Sequence, residues 1–102
     1  MNFIEMFKQA KKMKDVLGKQ QKELMSKQFE GQAGGGMVVV VMNGKMDVTQ
    51  IRIDPELMRM QDIKMMQDLM KGAFNSALKQ AQDAAQGAFA SMMQGMNIDG
   101  AP

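Results

Sequence analysis

The sequence predicts an α+β domain in the order helix, three antiparallel strands, short helical turn, helix. Three observations predict it. Residues Phe3 to Leu24 carry apolar or neutral side chains at alternating spacings of three and four, the seam of a helix that packs along another helix. Two β-branched runs, Met37–Met42 and Met46–Ile53, flank Asn43-Gly44, which is the pattern of a β-hairpin. From Ile63 the helical period returns and holds to Met92.

The first helix is expected over about residues 2–28. Its seam of Phe3, Met6, Ala10, Met13, Leu17, Gln20 and Leu24 leaves Lys8, Lys11, Lys12, Lys19 and Lys22 together on the opposite side. Gly18 lowers its stability by up to about 1 kcal/mol relative to Ala. The sheet is expected over about residues 29–53. Phe29–Ala33 is the first strand, Gly34-Gly35-Gly36 a tight connection, and Asn43-Gly44 accepts the positive φ angles of a type I′ turn. In the third strand, alternation puts Ile51 and Ile53 on one face with Thr49 and Asp47, and Val48 and Met46 on the other. Both faces are then partly apolar. That favours sheet-to-sheet burial between two chains through Val38, Val39, Val40, Val41, Ile51 and Ile53, although a bulge would shift the phase. Alternation alone does not choose the face that meets the partner.

Asp54-Pro55 ends the sheet: Asp serves as N-cap, and Pro suits the first helical position because its missing N–H has no partner there. A short turn over 55–60 leads to Asp62, the expected cap of a last helix over about 63–92. Residues 1–93 are thus read as one domain and 94–102 as a flexible tail.

With 102 residues and 45% hydrophobic content, the chain is one small domain that gains from dimerising. No apolar run approaches the roughly 20 residues that span a bilayer. The N-terminus lacks the order of a signal peptide, so a cytoplasmic location is expected and no membrane partner. Net charge is only +2, but seven lysines up to residue 27 stand against Glu5, Asp15 and Glu23, a local charge of +4.

Catalysis finds little support. There is no histidine and no cysteine, hence neither the commonest general base nor a thiolate nucleophile or metal ligand. Ser26, Ser76 and Ser91 have no partner base, and the acids match caps and surface better than a metal loop. Ala33–Gly36 is no phosphate loop, because a strand rather than a helix follows it. No catalytic residue, cofactor or metal is therefore expected. Of the 15 methionines, Met6, Met13, Met66 and Met70 lie on apolar rows, whereas Met58, Met60, Met65, Met92 and Met93 are less well explained and leave an exposed sticky patch open. The lysine face has two readings: a solvated helix surface, or a surface for phosphates. Lysine neutralises phosphate without reading bases, and stacking platforms for single strands are lacking, so any nucleic acid bound is expected to be a duplex, held through backbone and shape.

Three stretches carry a resemblance: FEGQAGGGMVVVVMNG, VTQIRIDPEL and DLMKGAFNSALKQA, preceded by the lysine-rich MFKQAKKMK. They resemble the YbaB/EbfC family of small bacterial nucleoid-associated proteins over nearly the whole chain. The resemblance implies an α-β-β-β-α fold and a homodimer joined mainly through its sheets, with the helices projecting as a tweezer-like pair. It also implies binding to double-stranded DNA in the nucleoid, an influence on gene expression or nucleoid organisation, and no catalytic residues. The DNA-binding role falls on the helical arms, here Lys8, Lys11, Lys12, Lys19 and Lys22, with Lys71 and Lys79 in the last helix. The chain departs from many relatives in its methionine content and in that last helix, where Lys79 is followed by Asp83. The alternative is a protein-interaction module that engages replication or recombination factors.

Overall fold

A valine run between two polar-apolar strands builds the sheet, and a helix with alanine at every fourth position, Ala73, Ala77 and Ala81, lies on it. The computed structural model describes residues 2–96. Its elements are α1 (Phe3–Ser26), β1 (Gln28–Ala33), β2 (Val38–Asn43), β3 (Val48–Ile53), α2 (Pro55–Arg59) and α3 (Ile63–Met96). The strands form one antiparallel sheet in the order β1-β2-β3, so the α+β class and element order stand as the sequence predicts. α3 stays helical to Met96, past the point at which the tail is expected to begin; residues 97–102 lie outside the described residues.

α3 crosses β1 and β2 on one face of the sheet. Ala73, Ala77 and Ala81 are fully buried there, and the approach is close because Gly31 has no side chain. A Cβ at Gly31 would lie 2.1 Å from the Ala73 carbonyl oxygen and 2.5 Å from the Ala77 nitrogen. Phe29, Val38, Val40 and Met42 complete this core, and Gln80 Nε2 donates to the Glu30 carbonyl oxygen at 2.8 Å. α2 closes one end. Its cap, Asp54, accepts from the Glu56 N–H at 2.9 Å, and Leu57 is fully buried, which contributes about 2–3 kcal/mol.

Two local expectations are corrected. The β2–β3 connection is a three-residue loop, Gly44 to Met46, rather than a type I′ turn. Asn43 N–H donates to the Asp47 carbonyl, Met46 N–H donates to the Asn43 carbonyl, and positive φ falls on Met46 (68°). The Asn43 side chain causes the difference, because its Oδ1 accepts from Lys45 N–H at 2.9 Å and Asp47 N–H at 3.1 Å. Gly44 serves close approach instead: its N–H donates to the Met25 carbonyl at 3.3 Å, and a Cβ would sit 1.8 Å from the Leu24 oxygen.

The second correction is to the phase of β3. A register shift beside Val41 and Met42 pairs Met42 with Val48, while Val40 pairs with Ile51 and Val38 with Ile53. Val48, Ile51 and Ile53 therefore share the α3 side of the sheet, where β3 extends beyond the helix. Val48 stays 40% and Ile51 48% exposed. On the other face, Val39 and Val41 are buried without any helix over them. Glu30, Gln32, Gln50 and Arg52 flank them, and Arg52 Nη2 reaches across β2 to Glu30 Oε1 at 3.0 Å.

Candidate nucleic-acid interface

α1 starts at Asn2, whose side-chain oxygen accepts from Ile4 N–H at 3.1 Å. It ends at Lys27, whose N–H donates to the Leu24 carbonyl, and the hairpin loop caps the Met25 carbonyl through Gly44. Between these ends no residue of α1 is buried. Leu17, Leu24 and Met25 are half-buried, and an open groove of about 490 Å³ separates the middle of α1 from the end of α3. Met13, Val16, Leu17 and Met92 line it. The helix is thus an arm, seated at its foot.

Lys8, Lys11, Lys12, Lys19 and Lys22 are all exposed on α1. They fall within an arc of about 100° and span about 21 Å along the axis. That exceeds the roughly 12 Å opening of the B-DNA major groove, so the two ends of the row can meet phosphates on both sides. Among the described residues the ion pairs are Arg52–Glu30, Arg59–Glu56 and Lys64–Asp68, none of them on α1. No lysine of the arm is ion-paired among the described residues; Asp15 lies in the same arc, and Glu5 and Glu23 stand at its edge.

Four further lysines, Lys14, Lys45, Lys71 and Lys79, lie outside this row. Lys14 sits at the margin of the row, exposed like the rest of the arm. Lys45 is carried to the foot of α1 by the loop that caps Met25, a juxtaposition that no local spacing could reveal. Lys79 is exposed on the side of α3 away from the buried alanines, with Asp83 one turn on, and Lys71 is exposed as well. The structure does not join Lys79 to the α1 row.

The residues expected at a chain–chain contact separate. Val38 and Val40 are buried in the core beneath α3. Val39 and Val41 face the opposite side, under the Glu30–Arg52 pair. Ile51 lies on the uncovered part of β3, an edge strand within this chain, whereas Ile53 is partly buried against the core. Phe3 (79% exposed) and Phe7 (66%) stand bare near the free end of α1. Among the described residues no three His, Cys, Asp or Glu side chains cluster to hold a metal. No described helix is long and apolar enough to cross a membrane.

Fold and surface together define a small α+β protein that presents a cationic helical arm. The chain belongs to the YbaB/EbfC DNA-binding family, whose model matches residues 1–96. A nucleoid-associated protein of Caldanaerobacter subterraneus is 39% identical over 97% of this chain and 89% of its own length. One from Bacillus cytotoxicus is 39% identical, covering 97% and 91% respectively. The uncharacterized protein HP0035 from Helicobacter pylori shares the fold, with a TM-score of 0.74 at 24% identity over 91% of this chain and 98% of its own. The family is a DNA-binding one, not a family of enzymes.

Proposed function

We propose that this protein is a nucleoid-associated protein of the cytoplasm that binds double-stranded DNA as a homodimer, through backbone contacts from α1. The observation that carries the reading is an exposed arm whose lysines form one row with no ion-pair partner among the described residues. Lysine supplies point charges to phosphates, so the mechanism is electrostatic positioning with little direct base readout. The names of the relatives, which are nucleoid-associated proteins, agree with it.

Support for the dimer comes from surface. The chain exposes 7904 Å², about 2,000 Å² more than a compact monomer of its 11.3 kDa mass. A standard interface buries about 800 Å² per partner, so the surplus is ample. The β3 edge, with the exposed Ile51 beside the partly buried Ile53, is the proposed contact, and it is supported by the burial of Val38 and Val40 in the core. Two arms then project from one body.

Salt tests the mechanism. A dimer that neutralises about six phosphates follows a log–log slope near −5 and loses about 1000-fold in affinity between 50 and 200 mM salt. Changing Lys8, Lys11, Lys12 and Lys19 together to glutamine leaves a dimer that no longer shifts duplex DNA. A flat salt response, or a variant that still binds, refutes the assignment. A second reading, a protein-interaction module, draws on the bare Phe3, Ile4 and Phe7. It requires a partner captured after nuclease treatment and at high salt.

A further inference from the structure

Gly18 has no structural reason to be glycine. It lies inside α1, where glycine weakens a helix relative to Ala. Gly31 and Gly44 are demanded by backbone 2.1 and 1.8 Å from any added Cβ, and Gly34, Gly35 and Gly36 by positive φ. A Cβ at Gly18 would meet nothing within 4 Å. The site is nonetheless not bland. Lys14 and Lys22 stand four residues to either side on the same helix face, each about 6 Å away along the axis. Lys11 lies two turns back on that face, and Lys19 stands on its flank. Asp15, three residues before Gly18, faces the same site and lies between Gly18 and Lys19 around the helix. The helix is therefore bare at a point with Lys14 and Lys22 on either side along the face and one acid, Asp15, alongside.

We infer that Gly18 is a seat for a DNA phosphate, a place where the missing side chain lets the sugar-phosphate backbone lie directly against α1. This rests on the DNA-binding reading above and adds the contact point. The seat brings Lys14 into the interface, with Lys14 and Lys22 closing on the phosphate from either side. The backbone N–H of Gly18 is engaged within the helix, so the lysines supply the charge and the glycine supplies the room. A glycine present only to loosen the arm would behave differently. Ala, Leu and Gln stiffen a helix to similar extents but differ in bulk. Looseness predicts that the three variants act alike, whereas a seat predicts loss that grows with size.

The experiment measures affinity for random-sequence duplex and its salt slope in Gly18→Ala, Gly18→Leu and Gly18→Gln, with helicity read by circular dichroism. Gly87→Ala serves as control, since Gly87 is also helical and open but has no lysine within one turn. All four variants are expected to gain helicity. Gly87→Ala binds as the unaltered protein does, Gly18→Ala binds slightly more weakly, and Gly18→Leu and Gly18→Gln lose about tenfold. The slope for the bulky variants falls in magnitude by about 2, one phosphate from each arm. Equal affinities for the three Gly18 variants, or bulky variants that bind like the unaltered protein, overturn the seat and leave the DNA reading intact. If the unaltered protein ignores duplex DNA at low salt, both fall.

Discussion

Replacing Gly31 with alanine adds one methyl group where α3 meets β1, and the closeness of the two backbones sets its cost. The new Cβ would be 2.1 Å from the Ala73 oxygen, whereas ordinary contact begins at 3.4 Å, so the helix must retreat by about 1.3 Å. The obstacle is backbone, which has no rotamer to change. A gap of 0.5–1 Å already forfeits a quarter to a half of the dispersion energy of the atoms it separates. The retreat would open the contacts of Ala73, Ala77 and Ala81 together, all fully buried. This places the cost at the upper end of the overpacking range, about 3 kcal/mol. The unfolding midpoint should fall by about 12–24 °C at fixed protein concentration. Thermal unfolding followed by circular dichroism measures it. Gly18→Ala supplies the internal contrast, with a rise of about 0.5–1 kcal/mol from the same chemical change. A Gly31→Ala midpoint equal to or above that of the parent refutes the account of the α3–sheet contact.

Other outcomes follow from the same geometry. Asn43→Ala removes the acceptor for two loop N–H groups and should lower stability by about 1 kcal/mol in urea titration, with the fold retained. Asp15→Asn removes the one acid from the lysine row and should tighten duplex binding about threefold at low salt, an advantage that fades as salt rises. Ile51→Asp places a charge on the uncovered β3 edge, where the residue is already 48% exposed. The chain should stay folded but sediment as a monomer, and a persistent dimer would move the contact elsewhere.

Element order was readable because each element has its own period. Val38–Val41 and the Asn-Gly pair mark strands and turn, and the threes and fours of α1 mark a helix. What escaped reading depends on groups that meet only after folding. The Asn43 side chain competes for the loop N–H groups and selects the three-residue loop. The bulge moves Val48 to the face of Ile51, which strict alternation in one strand cannot foresee. The breadth of α3 over the sheet decides that Val38 and Val40 are core while Ile51 is not, and this follows from Gly31 admitting the helix over β1 and β2 rather than β3. The lysine row of α1 was legible from helical geometry alone, because it lies within one helix. Lys45 was not, because it reaches the foot of α1 through the bond between Gly44 and Met25.

That bond has a mechanical consequence. α1 is 24 residues long, about 36 Å, and its firmest hold is at the end nearest the loop. It works as a lever with its fulcrum at the hairpin. A tilt of only about 10° there sweeps the far tip by about 6 Å, roughly the width of the minor groove. The gauge of whatever the arm embraces is thus governed by a three-residue loop well away from the point of grip.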